Sequence, residues 1–350
     1  MNSVQDAIKK LVQYRDLTWH EAEEAMKEIM FGEATEAQIG SVLTALRMKG
    51  ETAEEIAAFA SAMRRFAIRI NPRVNGLLVD ICGTGGDKIK TFNVSTVAMF
   101  VAAGAGVVIA KHGNRSQTSK SGSADVIESI GVKIDLPPQE VERCIERIGL
   151  GFMFAPSFHR AMKHVMSPRR EIKIPTVFNL LGPLTNPAGA QAQVVGTFDA
   201  VLTEKMACIL EKLGCKRAMV VHGLDGLDEI SILGGTQISE LIDGEIATYT
   251  VYPEQFGIPR VDPDSIVGGD VEKNARILLE GLKGERGPKR EIVLLNAAAA
   301  IVVAGKADNL REAVAIAEDS IDSGRAYEKM LQLIKATGGD LQKLERLEAV

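Results

Sequence analysis

The chain has 350 residues, 46% of them hydrophobic and 25% charged, with a net charge of −5. That composition is that of an ordinary soluble globular protein with room for one large domain or two unequal ones. The acidic balance argues against a general nucleic-acid binder, which carries a basic stripe.

The opening residues, Met1-Asn2-Ser3-Val4-Gln5-Asp6, hold no apolar signal core, and no run is apolar enough to span a bilayer. The four cysteines, Cys82, Cys144, Cys208 and Cys215, form no CxxC pair. A reduced, cytoplasmic protein without membrane contact is expected.

Residues 1–70 read as helices only. Thr18-Trp19-His20-Glu21, Thr35-Glu36-Ala37-Gln38 and Thr52-Ala53-Glu54-Glu55 are three capping boxes in series. Each precedes an apolar stripe at helical spacing, such as Ala22, Ala25, Met26 and Ile29. A further helix is expected around Val4, Ile8, Leu11 and Val12, and Gly50 should stop the third of the four. His20 falls in a first turn and is expected to be exposed.

From residue 77 the pattern becomes α/β. Strands are expected at 77–82, 107–110, 132–134, 151–154, 194–198, 218–222, 230–233, 246–251 and 292–295. Apolar-faced helices separate most of them. Alternation of this kind predicts a mostly parallel sheet covered by helices on both faces. Residues 155–190 are rich in proline: Pro156, Pro168, Pro175, Pro183 and Pro187. This stretch should be a rigid crossing between two bodies, with a helix broken at Met166-Ser167-Pro168.

Three polar loops follow expected strands. The first is Gly83-Thr84-Gly85-Gly86-Asp87, leading to Asn93-Val94-Ser95-Thr96 at a helix start, with Asn93 as the expected N-cap. Glycines let backbone N–H groups approach an oxyanion, and a helix start adds unpaired donors. A phosphate or pyrophosphate ester fits. The spacing is neither that of a P-loop nor that of a dinucleotide fingerprint.

The second loop is Lys111-His112-Gly113-Asn114-Arg115-Ser116, continuing to Lys120-Ser121-Gly122-Ser123. Lys111 can serve as a phosphate counter-charge, and Ser123 can cap the next helix. The third is His222-Gly223-Leu224-Asp225-Gly226-Leu227-Asp228-Glu229, whose adjacent carboxylates suit Mg²⁺. In an open parallel sheet all three lie at the carboxyl ends of strands, where ligands bind.

These motifs, with Phe178-Asn179 and Leu181-Gly182-Pro183-Leu184, resemble the anthranilate phosphoribosyltransferase family, in order and over essentially the whole chain. The resemblance implies a small helical domain, residues 1–70 completed by about 170–185, on a larger α/β domain, residues 71–169 and 186–350. It implies transfer of a phosphoribosyl group from 5-phosphoribosyl-1-pyrophosphate to anthranilate in a homodimer. Gly83, Gly86, Asp87, Thr91, Asn93, Ser95, Thr96, Lys111 and Ser123 would hold the donor. Gly83, His112, Gly113, Asn114, Arg169 and Pro183 would hold anthranilate. Ser95, Asp228 and Glu229 would hold two Mg²⁺ ions per subunit.

The chain departs from the family at Ile172-Lys173-Ile174-Pro175-Thr176, where Leu-Gly-x-Arg-Thr is common. Two other readings stand beside this one. A pyrimidine-nucleoside phosphorylase resembles a Ser-Gly-Arg-Gly pattern where this chain has His112-Gly113-Asn114-Arg115. A nucleic-acid-binding relative would need a basic groove.

Overall fold

The computed structural model describes residues 2–86, 89–116 and 121–349. Four helices open the chain: α1 (Ser3–Leu11), α2 (Trp19–Phe31), α3 (Glu36–Lys49) and α4 (Ala53–Phe66). The last three each begin on a complete capping box, at Thr18, Thr35 and Thr52. Each box satisfies two backbone donors that a helix start leaves unpaired.

Glu55 does more than cap α4. It is fully buried, accepts the Leu17 N–H at 2.8 Å and pairs with Lys49 Nζ at 2.9 Å. One carboxylate thereby fixes the α1–α2 loop and the end of α3 to the start of α4. The expected stripe residues of α2, α3 and α4 are buried, Gly50 caps α3 and His20 is exposed. Val12 falls outside the first helix as its C-cap and is exposed, because α1 ends one residue earlier than its apolar pattern.

The described residues form one seven-stranded sheet: β1 (Leu78–Gly83), β2 (Val108–Gly113), β3 (Leu150–Phe154), β4 (Ala192–Gly196), β5 (Arg217–Gly223), β6 (Thr236–Ile242) and β7 (Glu245–Val251). Their spatial order is β3-β2-β1-β4-β5-β6-β7. Neighbours from β3 through β5 are parallel, whereas β6 and β7 add antiparallel. The chain runs outward from β1 to β3, then returns to the other side of β1 with β4. That reversal opens a crevice at the carboxyl ends of β1 and β4.

The crossovers carry α5 (Val94–Gly104), α6 (Ser123–Ser129), α7 (Pro138–Ile148), α8 (Ala155–Phe158), α9 (Lys163–Ile172), α10 (Phe178–Leu184) and α11 (Val201–Lys212). After the sheet come α12 (Val271–Leu282), α13 (Pro288–Val303), α14 (Leu310–Asp322), α15 (Arg325–Ala336) and α16 (Leu341–Glu348).

Side chains alternate across the strands, so the sheet has two cores. Val79, Ile81, Val194, Met219 and Val221 pack with α5 and α13. Val195, Ala218 and Val220 pack with α11, α10 and the opening helices. Arg64 of α4 ties these bodies together. Its Nε donates to the Leu184 carbonyl at 2.7 Å and a terminal nitrogen donates to Leu213 at 3.1 Å, at the ends of α10 and α11. Among the described residues no helix is long and apolar enough to cross a membrane.

Several expected elements are corrected. Residues 292–295 lie inside α13, not in a strand. That helix is buried on nearly every side, so its apolar run carries no helical period. Residues 230–233 form a turn rather than a strand, its backbone held by the Asn296 side chain and Thr236 Oγ1. The strand beside it is β6, whose polar sequence masked it. Residues 132–134 pair with no strand among the described residues; the Lys133 N–H donates to Thr337 Oγ1 instead. Pro168 does not end a helix but sits within α9.

Candidate active site

Three sheet-end loops meet α8, α9 and α10 around a cavity of about 850 Å³. β1 ends at Gly83 and turns through Gly85 and Gly86, whose φ values of 68° and 94° suit glycine. The loop re-enters regular structure at α5. Asp87 lies outside the described residues, as does Lys120.

The carboxylates after β5 reach across to this loop. Asp228 Oδ2 accepts the Gly85 N–H at 3.1 Å, and Glu229 Oε1 accepts the Ser95 N–H at 3.2 Å. Ser95 Oγ in turn accepts from Lys111 Nζ at 3.3 Å. The expected metal set of Ser95, Asp228 and Glu229 is therefore gathered in one place, from α5 and the β5 turn. A hydroxyl and two half-buried carboxylates are a hard oxygen donor set, as Mg²⁺ prefers, with water and substrate oxygens completing its shell. Among the described residues no cluster of three or more His, Cys, Asp or Glu side chains offers an all-protein metal cage.

Lys111, expected as a phosphate counter-charge, lies beneath the cavity wall. It is only 2% exposed, and its ammonium donates to the Ile81 carbonyl as well as to Ser95. Burial lowers its pKa, while Asp80, Cys82 and Glu229 oppose that shift. Its charge acts from below the α5 start.

Asn93 stands at the N-cap of α5 but makes no capping bond. Its amide donates to the Ser121 carbonyl at 3.2 Å. Its oxygen accepts from Ser121 Oγ at 3.1 Å and from Asn274 at 3.0 Å. It joins the first loop to the second and to α12. Thr91 pairs with Val267 on the cavity wall, and the buried Thr96 Oγ1, also lining the cavity, has no partner among the described residues. Ser123 is the first residue of α6 rather than its cap; the cap is Gly122, whose N–H donates to Asp125. Ser123 Oγ donates to the Asn114 carbonyl at 3.4 Å.

The other end of the cavity is built by His112, Gly113, Asn114, His159, Arg169, Gly182 and Pro183. The His112 and His159 rings lie 5.0 Å apart, and neither Nε2 has a hydrogen-bond partner among the described residues. Burial, with His159 alongside, lowers the His112 pKa to about 3; burial lowers that of His159 to about 4. Both are neutral walls at pH 7. Arg169 lies over the Phe178 ring at 5.1 Å and makes no ion pair among the described residues. Arg170 points away, with Nε on the Met166 carbonyl, so the cavity-facing cation of the pair is Arg169.

Other residues of the cavity escape a reading of the sequence. His159 reads there only as part of a helix start, and Asn274 carries no local signal. Asp80, beneath the cavity, did leave one, as a carboxylate inside an apolar strand.

Residues 5–67 match the helical bundle domain of a glycosyl transferase family, and residues 75–327 match its a/b domain. The two matches together make the chain a glycosyltransferase. An anthranilate phosphoribosyltransferase from Methanocorpusculum labreanum is 54% identical over 336 residues, covering 96% of this chain and 98% of the relative. One from Moorella thermoacetica is 54% identical over 327 residues, covering 93% and 96%. The crystal structure of the Thermus thermophilus anthranilate phosphoribosyltransferase superimposes with a TM-score of 0.90 at 43% identity, over 95% of this chain and 99% of that one. The Saccharomyces cerevisiae enzyme, in complex with PRPP and Mg, gives 0.88 at 30% identity, over 96% and 98%. The chain belongs to the anthranilate phosphoribosyltransferase family.

Proposed function

We propose that the chain transfers the phosphoribosyl group of 5-phosphoribosyl-1-pyrophosphate to the amine of anthranilate, releasing pyrophosphate, as the second step of tryptophan synthesis from chorismate. One observation carries the reading: the Asp228 and Glu229 carboxylates meet the glycine loop and the α5 start in the same cavity that Arg169 lines. Relatives in complex with PRPP and Mg, and with 4-fluoroanthranilate, support both substrate classes.

Gly83, Gly86, Asp87, Thr91, Asn93, Ser95, Thr96, Lys111 and Ser123 hold the donor. Backbone N–H groups of the loop and of the α5 start supply donors to its phosphate oxygens. Ser95, Asp228 and Glu229 would hold two Mg²⁺ ions, which would supply charge neutralisation at the diphosphate leaving group.

Gly83, His112, Gly113, Asn114, Arg169 and Pro183 hold anthranilate. The Arg169 guanidinium matches its carboxylate bidentately. An aromatic amine is already neutral at pH 7, so attack at the sugar C1 needs no strong base. The neutral His112 and His159 rings fit that requirement. The chain's contribution is orientation of the amine and exclusion of water from a cation-like sugar.

The helical body, residues 1–70 with about 170–185, closes on the body formed by 71–169 and 186–350, with the half-buried Arg64 tying the two through the Leu213 carbonyl. We place the enzyme in the cytoplasm as a homodimer through the helical body. Val12, Tyr14, Phe31 and Met48 on that body are each at least 60% exposed, which suits burial against a second copy.

The test is anthranilate fluorescence during incubation with 5-phosphoribosyl-1-pyrophosphate. Loss of signal that requires both the donor and Mg²⁺ is expected. No loss, or turnover of thymidine or uridine with free phosphate instead, would overturn the reading.

A further inference from the structure

Beneath the cavity, β1 and β4 place Asp80 beside Gln193 in register, both fully buried on the face toward the helical body. Gln193 Nε2 donates to Asp80 Oδ2 at 3.4 Å and to the Pro183 carbonyl at 2.9 Å. Asp80 Oδ1 accepts the His112 N–H at 3.1 Å. The His112 ring, in turn, leans on the carbonyl of Gly182, next to Pro183. The bonds close a circuit from His112 through Asp80, Gln193 and α10 back to His112.

We propose that Asp80 and Gln193 are positioning residues for the acceptor, holding the His112 wall and the Pro183 wall of its pocket at a fixed separation. The inference rests on the anthranilate reading above.

Burying an ionisable group costs several kcal/mol unless it is well hydrogen-bonded. An apolar residue would complete β1 without that cost, so a wholly buried carboxylate calls for an explanation. The Asn186 side chain and the buried Lys111 ammonium offset part of that cost, and the circuit's partners offset more of it. Asp80 and Gln193 touch the backbone at His112 and Pro183, two walls that both line the cavity. Neither bonds to the described backbone of the 83–86 loop or of the α5 start. Replacing Gln193, which leaves the Asp80 charge in place beside Lys111, should therefore let the acceptor walls drift while the donor site stays intact.

Two variants separate positioning from general stability. Gln193→Met keeps the length of the side chain and removes the amide. It is expected to raise the anthranilate KM about tenfold, as for one lost hydrogen bond. The KM for 5-phosphoribosyl-1-pyrophosphate should stay within about twofold. The double variant D80N/Q193E restores a donor–acceptor pair between the strands but leaves Pro183 without its donor. It should recover most of the melting temperature and still show the raised anthranilate KM. A purely structural role predicts that kinetics recover with stability.

If Gln193→Met fails to fold, the double variant alone decides. The proposal falls if the double variant melts near wild type with an unchanged anthranilate KM. It also falls if a folded Gln193→Met protein moves neither KM, or both alike. An inactive wild-type protein would instead remove the functional reading beneath it.

Discussion

Gly196, at the end of β4, lies against the backbone of Asp228 with no room for a side chain. A Cβ on Gly196 would stand 1.7 Å from the Asp228 carbonyl oxygen. Backbone on both sides cannot yield as a flexible side chain would. Gly196→Ala must push the 224–229 turn away from the sheet end. The same turn crowds Gly83, where a Cβ would meet Asp228 Oδ2 at 2.8 Å. Gly196→Ala should lower Mg²⁺-dependent turnover at least about tenfold and destabilise the fold by about 1–3 kcal/mol, read by kinetics and urea denaturation.

Asp228→Asn and Glu229→Gln keep the shape of the turn and remove its charge. On the proposed reading, those charges would hold the cations that neutralise the diphosphate. Turnover at fixed Mg²⁺ should fall about 100-fold or more, since metal charge stabilisation is worth several kcal/mol. A Mg²⁺ titration should show a higher half-saturating concentration in each variant.

Stability should fall on mild acidification because two histidines are held neutral. Their folded pKa values, about 3 for His112 and about 4 for His159, lie below the unfolded value near 6.5. Above that unfolded value both states carry neutral rings and no penalty arises. Below it the unfolded chain binds protons that the folded chain refuses, so unfolding becomes easier. Between pH 7 and pH 5 each ring should cost about 2 kcal/mol. Urea denaturation of wild type and His159→Gln at both pH values checks this; the variant should lose about half of the histidine-linked decline.

Lys173 ends α9 in a left-handed conformation, φ 50° and ψ 30°, with its side chain exposed. A Cβ is unfavourable there, and the family's glycine is absent at this position. Lys173→Gly should stabilise the fold by up to about 1 kcal/mol, measured by urea denaturation.

Much of this molecule was legible in the sequence because its signals are local. The capping boxes at Thr18, Thr35 and Thr52 each lie within four residues, and all three form. The glycine loop and the Asp228-Glu229 pair announced an anion site and a cation site, and the fold brings them together. What escaped depends on partners far away. The segment at 292–295 reads as a strand because α13 is buried on nearly all sides. β6 is missing from the expected strands because its polar residues find their partners in α11 and β7, as Ser239 does in Thr203 and Thr248. Asn93 reads as a cap, yet its bonds go to Ser121 and to Asn274, distant in sequence. Lys111 reads as a counter-charge, but nothing local reveals that its ammonium bonds to Ile81 and Ser95.

The central claim is that the donor diphosphate rests on the 83–86 loop, bridged by divalent ions to Asp228 and Glu229. Crystals soaked with 5-phosphoribosyl-1-pyrophosphate and Mn²⁺, examined by anomalous diffraction, test it most directly. Manganese peaks are predicted beside Ser95, Asp228 and Glu229, with the diphosphate against Gly83 and Gly86. Bound donor with its diphosphate elsewhere, or manganese remote from those three side chains, would contradict the claim.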